Sequence, residues 1–335
     1  MKRHKITLAE IADRNNLALA LYRAARGKRD CYVVRCFLAD MDTRLNQLAG
    51  DILDGRMPHG IFRSFTISDP KKRLIQAACF PDRIFHHAIM NQAGPVFERA
   101  MVAHTYACRP GKGVHRAVEQ VQKNLRRFPW FVKIDISGYF AAINHARLLE
   151  VLSRRFKGQE ILEQFERVVA SYYDTPGRGL PIGSLTSQYF ANYYLDGLDR
   201  LLGADPAVRA MVRYMDDIVW WCDTKQQARR VLAGVKAYLR HERDLAVKPE
   251  VQILRSAQGI SYCGFRILPG IVRMSRRRKR RFLQRRLYWE NLYQAGVIDA
   301  HRLQTAVSAV YAIAQGTDSL AWRRKNLRQY PPPEV

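Results

Sequence analysis

Asp216 and Asp217 are adjacent, and apolar runs flank them: Val212-Arg213-Tyr214-Met215 before, Ile218-Val219-Trp220-Trp221 after. The pattern predicts a hairpin of two buried strands with two acids at its tip. Acids in such a place are costly unless positive charge lies against them. Adjacent like charges also repel, so a divalent cation is their natural partner. An ordinary tight turn favours Asn-Gly or Asp-Gly, and this tip has no glycine. Asp135 ends a second apolar run, Phe131-Val132-Lys133-Ile134. If the two runs are neighbours in one sheet, three carboxylates converge. That cluster suits two-metal phosphoryl transfer, in which ions about 4 Å apart activate an attacking hydroxyl and stabilise the leaving oxygens. Mg²⁺ takes oxygen ligands, commonly a few carboxylates with substrate phosphates and water. The bland alternative makes Asp135 a turn cap and Asp216 a solvated loop acid.

The elements that must position these acids follow from periodicity and turn residues. Helical apolar spacing runs over about 6–55, through Ile11, Leu17, Leu19, Leu21, Val34, Phe37, Leu38, Met41, Leu45 and Leu48. Residues 60–80 read as two strands joined at Asp69-Pro70. A helix with Pro81 near its start follows. A Gly-rich turn at Arg109-Pro110-Gly111-Lys112-Gly113 leads into another helix, then a short strand ends at Asp135. Residues 145–173 and 225–243 read as helical, 260–268 as a strand, and the chain from about Met274 as basic helix. Strands bearing carboxylates amid helices predict an α+β fold rather than a doubly wound parallel sheet.

With 335 residues, 47% of them hydrophobic, the chain can bury a core and form more than one lobe. A formal charge of +26 suits a polyanionic partner, nucleic acid before an anionic membrane surface. Solubility alone needs far less charge. No stretch approaches the ~20 apolar residues of a membrane span, and Met1–Asn16 lacks an apolar signal core. The six cysteines show neither CxxC nor zinc spacing. They read as buried, reduced thiols in a cytoplasmic protein.

Tyr214-Met215-Asp216-Asp217 resembles the YxDD motif of reverse transcriptases. Asp135-Ile136-Ser137-Gly138-Tyr139-Phe140 resembles their first palm motif, an acid followed five residues later by an aromatic. Lys71-Lys72-Arg73-Leu74-Ile75 and Pro81-Asp82-Arg83-Ile84 look like the fingers. Tyr106 to His115 is similar to a Y-x-x-R-P-G-x-G-x-H segment shared with group II intron enzymes. Ile260 to Phe265 looks like the strand that grips the primer end. The resemblance runs from about residue 60 to 268, and more loosely beyond. Bacterial relatives usually carry Q-G-x-x-x-S-P before the palm helix, where this chain has Ile182-Gly183-Ser184-Leu185-Thr186-Ser187-Gln188. Ile for Gln and Gln for Pro resemble the reverse transcriptases of diversity-generating retroelements.

The resemblance implies a right-hand polymerase: N-terminal helices and fingers over 1–130, a palm with an antiparallel sheet over 131–268 (with a helical insertion at about 145–175), and a helical basic thumb over 269–335. It implies an RNA-directed DNA polymerase that copies a template-repeat RNA with errors at adenines, bacterial or phage-encoded, with a small basic pentameric accessory protein as partner. The catalytic acids are then Asp135, Asp216 and Asp217. The metal set adds Ile136, for two Mg²⁺ ions with Mn²⁺ as a substitute. Arg73 with Lys71 or Lys72 meets the triphosphate, as Arg offers a planar fork to phosphate. Phe140 gates the sugar against a 2′-hydroxyl, with plain core packing as the alternative. Ile182 and Gln188 line the nucleotide pocket. Ile cannot hydrogen-bond there as Gln could, and a site with fewer polar contacts discriminates less.

For template and primer, the candidates are Arg109, Gly111, Lys112, Gly113, Gly264, Phe265, Arg277 and Arg281. Gly111-Lys112-Gly113 opens a helix whose N–H groups suit phosphate, but it is not a Walker A loop, lacking the upstream Gly and the Ser/Thr after Lys. Arg276 to Arg281 is a run of six cations, self-repelling unless phosphates neutralise it. Phe282, Leu283, Leu287, Tyr288 and Leu292 give the same helix an apolar stripe. Lys248 is a candidate proton donor to pyrophosphate. His86, His87 and His115 read as packed or phosphate-facing rather than catalytic. Two rivals stand: a retron or group II intron-like enzyme, and a non-catalytic RNA-binding relic. The relic predicts loss of at least one of the three aspartates, and all three are present.

Overall fold

The computed structural model describes residues 3–68 and 73–333. The chain forms two compact units, each built from separated segments. The first comprises Met1–Arg109, Ile136–Leu201 and Ala233–Pro249; the second comprises Pro110–Asp135, Leu202–Leu232 and Glu250–Val335.

In the first unit the N-terminal helical region divides into four helices, Leu8–Ala12, Arg14–Ala25, Tyr32–Ala39 and Met41–Leu53. The breaks follow local chemistry. Thr7 and Glu10 form a reciprocal capping box, and Asp13 accepts from Asn16 N–H to start the second helix. Ile11, Leu17, Leu21, Val34, Phe37, Leu45 and Leu48 are buried as the spacing predicts, whereas Leu19, Leu38 and Met41 face solvent. Arg14–Ala25 packs along the long Phe80–Ala100 helix, which carries Pro81 in its first turn. The strands Phe62–Ile67 and Arg73–Ala78 pair antiparallel, with Ile67 opposite Arg73. The Asp69-Pro70 turn, with Lys71 and Lys72, lies outside the described residues.

The region 145–173 is not one helix. His145–Ser153 and Gln159–Ala170 are separated by the short strand Phe156–Lys157, which pairs parallel with His4–Lys5. Gly158, at φ +96, turns the chain where an L side chain would be strained. Phe156 and Phe165 sit 5.0 Å apart edge to face and both contact Phe97.

The second unit holds a four-stranded antiparallel sheet in the order Ala210–Tyr214, Asp217–Cys222, Trp130–Asp135, Gln252–Arg255. Trp220 and Trp221 are adjacent and therefore face opposite sides of the sheet. Both are fully buried, so both faces are covered. The helix Val114–Arg127 packs against the Ala210–Tyr214 strand. A smaller sheet joins Ile260–Tyr262, Phe265–Ile267 and Val272–Met274. The segment 260–268 is thus a hairpin, not the single strand expected. Cys263 and Gly264 both have positive φ, +47 and +80, the two-residue turn that matches strand twist.

Three helices close the unit, Arg276–Gln294, Ala300–Ala312 and Leu320–Gln329. Met274, Phe282, Val310 and Ala314 form their core, with Trp289, Tyr311 and Trp322 packed on it. The buried stripe of the first helix is Phe282, Arg286 and Glu290 rather than the expected run of apolar residues, and Tyr288 is exposed. Arg286 and Glu290 form a buried ion pair at 3.0 Å, and Arg286 also donates to Asn326.

Among the described residues no helix is long and apolar enough to cross a membrane. The cysteines are not uniformly buried: Cys31, Cys36 and Cys108 are exposed, and only Cys222 is fully inside. Cys31 caps the Tyr32–Ala39 helix, whose buried residues are Val34 and Phe37, and Cys36 lies off that buried face.

Candidate active site

Five residues, apolar except for Lys133, lead to Asp135, and the strand Trp130–Asp135 lies beside Asp217–Cys222 with Asp135 directly opposite Asp217. On its other side Asp217 faces Tyr214. Directly opposed residues project from the same face, so Tyr214, Asp217 and Asp135 form a row across three strands. Met215 and Asp216 make the two-residue turn between them. Met215 has φ +59, a left-handed conformation that turns of this length require but that suits glycine. An L residue held there costs on the order of 1–3 kcal/mol. The turn is held from within, since Arg213, itself fully buried, donates to the Met215 carbonyl at 3.2 Å. Met215 is also buried.

The electrostatics of this row centre on Asp217. Burial, and then the negative charges of Asp135 and Asp216, push its carboxyl up to about 7 against the opposing pull of Lys133. Lys133 Nζ lies 3.3 Å from Asp217 Oδ1, close enough for an ion pair though not aligned as a hydrogen bond. Tyr262 O–H donates to the Asp217 carbonyl at 3.0 Å, which ties the small hairpin's first strand to the acidic turn. The sequence anticipated three converging carboxylates. The tertiary structure brings two into direct register, with the third on the adjoining turn. Among the described residues no group of three His, Cys, Asp or Glu side chains is gathered so as to hold an ion by itself. Such preassembly is not needed for Mg²⁺, which typically takes one or two carboxylates and completes its shell with substrate phosphates and water. Hard oxygen donors, mutual repulsion and partial burial make the donor set a fit for that ion.

The 260–268 hairpin carries a second built feature. The Arg278 guanidinium stacks on the Phe265 ring, 3.8 Å from its centroid, and His115 approaches the same ring at 6.0 Å. A Cβ at Gly264 would lie 3.1 Å from Arg278 Nε, so a side chain there would crowd the guanidinium as well as strain the backbone. Arg278 also donates to the Ile313 carbonyl at 3.1 Å. Gly111 and Gly113 have φ +68 and +108 and lead into the Val114–Arg127 helix, as expected of a Gly-rich turn. Of the basic run, Arg276, Arg277 and Arg280 are exposed or half-buried, Arg281 is likewise near the surface, and Lys279 lies over the Trp322 ring.

Other sequence candidates fall in the first unit. Ile136 is buried and bridges to Val247. Gly138, at φ +52, starts the short helix Tyr139–Ala142. Phe140 in that helix is half-buried, edge-on to Tyr139 at 5.8 Å, and its carbonyl accepts from Leu180 N–H at 2.9 Å. The Ile182 carbonyl accepts from Gln76 N–H at 3.0 Å, which docks the 182–183 loop on the Arg73–Ala78 strand. Gly183, at φ +120, sits so close that a Cβ would be 3.0 Å from Ile75 Cγ2. Beneath it Ser184 Oγ meets His86 Nδ1 at 3.0 Å and Thr186 Oγ1 at 2.8 Å. Burial, reinforced by His87, pushes His86 down to about 3, so it stays neutral. Gln188 is half-buried on the Leu185–Tyr194 helix, and Arg73 opens its strand exposed.

Arg109 is a correction. The sequence puts it on the template path, yet its guanidinium points inward. Nε pairs with Glu98 at 2.8 Å, and its other nitrogens donate to the carbonyls of Val102, Thr105 and Glu98. With its side chain 7% exposed, Arg109 braces the loop after the Phe80–Ala100 helix. The spacing Arg-Pro-Gly-x-Gly could not reveal this, because the partner Glu98 lies eleven residues away. Sequence reasoning gave no role to Lys133 or Tyr262 and took Arg278 only as part of the basic run, while its reading of His86 as packed agrees with the buried bond to Ser184. The one available signal was Lys133, a charge inside an otherwise apolar strand two residues before Asp135.

The description that matches this chain among protein families is "Reverse transcriptase (RNA-dependent DNA polymerase)", over residues 68–267. A group II intron-encoded protein, LtrA of Lactococcus lactis, is 22% identical over 170 residues, covering 48% of this chain and 28% of that protein. Protein YkfC of Escherichia coli is 25% identical over 146 residues, 40% of this chain and 38% of that one. An uncharacterised 91 kDa protein in the cob intron of Schizosaccharomyces pombe is 30% identical over 146 residues, but the match spans only 17% of its length. Each match thus spans well under half of the relative's own length. Apo telomerase from Candida tropicalis, truncated of its C-terminal domain, aligns with a TM-score of 0.47 at 11% identity, covering 64% of this chain and 55% of that one. A family match over residues 68–267 of a 335-residue chain, enclosing both acidic strands and the Arg73–Ala78 strand, makes this protein a member of the reverse transcriptase family, with the α+β fold of that family.

Proposed function

We propose that this chain is a catalytically active RNA-directed DNA polymerase whose acidic row at Asp135, Asp216 and Asp217, with the Ile136 carbonyl, holds two Mg²⁺ ions. The observation that carries this is the direct register of Asp135 and Asp217 beside the strained Met215-Asp216 turn. Nothing in packing alone calls for two acids opposed on neighbouring buried strands. Bound there, Mg²⁺ would lower the pKa of a primer 3′-hydroxyl and offset charge on the leaving pyrophosphate. The chain's own residues orient the reaction. Arg73 meets the triphosphate, a role the family resemblance also gives to Lys71; Phe140 excludes a 2′-hydroxyl; Gly264 and Phe265 support the primer end. Gly111, Lys112, Gly113, Arg277 and Arg281 follow the template–primer backbone, and Lys248 is a proton donor to pyrophosphate. In this reading residues 1–130 serve as fingers, 131–268 as palm and 269–335 as thumb.

Within the family, the Ile182 to Gln188 segment supports a diversity-generating retroelement enzyme that copies a template-repeat RNA, errs at adenines and works with a small basic pentameric protein. The relatives' descriptions favour a second reading, a group II intron-like reverse transcriptase. A near-duplicate pair of repeats beside the gene, differing mainly at adenines, supports the first; their absence supports the second. The activity itself is tested with Asp216→Ala combined with Asp217→Ala. Mg²⁺-dependent primer extension is expected to vanish while RNA binding persists. Undiminished extension would sink the polymerase reading.

A further inference from the structure

Lys133 and Asp135 are two residues apart on one strand, so their side chains leave the sheet on the same face. The Lys133 ammonium lies 3.3 Å from Asp217 Oδ1, and the two side chains are 20% and 25% exposed. The same ammonium sits 5.9 Å from the centroid of the Tyr262 ring, whose phenol is bonded to the Asp217 carbonyl. Asp217 is therefore held at its carbonyl by Tyr262 and at its carboxylate by Lys133. A lysine stem is flexible and its charge compact, so this cation can withdraw without disturbing the strand. An ammonium and a divalent ion cannot both press on one carboxylate oxygen without strong repulsion.

We propose that Lys133 is a resident counter-cation, a positioning residue that keeps Asp217 beside Asp135 before metal arrives and yields Asp217 Oδ1 when it does. The inference rests on the metal-binding reading of Asp135, Asp216 and Asp217. Its consequence is weak metal binding by the free protein, with loading favoured by the phosphates that accompany the ion.

The test is a Mn²⁺ titration of the full chain, reading free Mn²⁺ by electron paramagnetic resonance, with thermal melts in parallel. Lys133→Met is expected to bind Mn²⁺ about tenfold tighter than the unaltered protein, and Lys133→Arg to stay within about threefold of it. Lys236→Met, at an exposed position, serves as control and is expected to change nothing. In EDTA, Lys133→Met should melt below the unaltered protein, and saturating Mn²⁺ should erase the difference; a merely structural lysine would lower the melt equally in both. In an Asp217→Asn background the effect of Lys133→Met on Mn²⁺ affinity should disappear. Lys133→Gln repeats the measurement if the Met variant does not fold. Equal or weaker Mn²⁺ binding by the folded Lys133 variants overturns the inference. If Asp216→Ala with Asp217→Ala leaves the Mn²⁺ titration of the unaltered chain unchanged, the metal-binding reading fails instead.

Discussion

Asp217→Asn preserves the shape of the side chain and removes its charge, and it should stabilise the metal-free protein while abolishing polymerisation. Burial and the neighbouring Asp135 and Asp216 raise Asp217 to about 7 from an ordinary 3.8. Each unit of pKa is worth ~1.36 kcal/mol, so ionising Asp217 in the folded, metal-free state costs at most ~4 kcal/mol relative to the unfolded chain. Partial solvent access reduces that to about 2–4 kcal/mol. The sign follows from proton linkage. A folded-state pKa above the unfolded one contributes stability that is whole below about 4 and disappears as pH rises toward 7, after which the deficit is constant. Urea unfolding in EDTA across that window should therefore show the unaltered protein losing stability with rising pH, and Asp217→Asn losing about 2–4 kcal/mol less. Mg²⁺ should restore the unaltered protein above pH 7 and leave the variant unchanged. Parallel loss by both proteins, or a less stable variant at the alkaline end, would refute the electrostatic account.

Arg109→Met should cost about 1–3 kcal/mol of stability, because it leaves the half-buried Glu98 carboxylate and three loop carbonyls without their charged donor; denaturant melts measure this, and RNA affinity of the folded fraction should be unchanged. Phe140→Val should admit ribonucleotides more readily in primer extension, and unchanged discrimination would make Phe140 a packing residue only. Ile182→Gln should reduce misincorporation opposite template adenine, with an unaltered error spectrum counting against a fidelity role. Replacing Arg277 and Arg281 by Ala should lower the slope of log affinity against log salt by about 0.9 for each duplex phosphate that these side chains neutralise, and an unchanged slope would remove the basic helix from the nucleic-acid path.

Much of the acidic site was legible in sequence because its determinants are local. The apolar runs around Asp135 and Asp216-Asp217 predict short buried strands, and those strands form at Trp130–Asp135, Ala210–Tyr214 and Asp217–Cys222. The 225–243 helix also emerges over Lys225–Arg243. The misread elements share a cause. A two-residue turn at Cys263-Gly264 is too short to interrupt apolar periodicity, so a hairpin read as one strand. The Arg276–Gln294 helix buries Arg286 and Glu290 instead of Leu287 and Tyr288 because Asn326 and the Tyr330 carbonyl, far along the chain, accept from the guanidinium.

The sequence by itself determined the acids, their strands, the strong positive charge and the family, since these depend on residue type, spacing and order. Only tertiary structure decided which carboxylates face each other, because strand register is a relation between segments some eighty residues apart. It also decided that Arg109 turns inward to Glu98, that Gly183 must be bare to dock on Ile75, and that Lys133 rests against Asp217. Each of these depends on long-range approach and burial, which set the energy of a charge far more than its identity does.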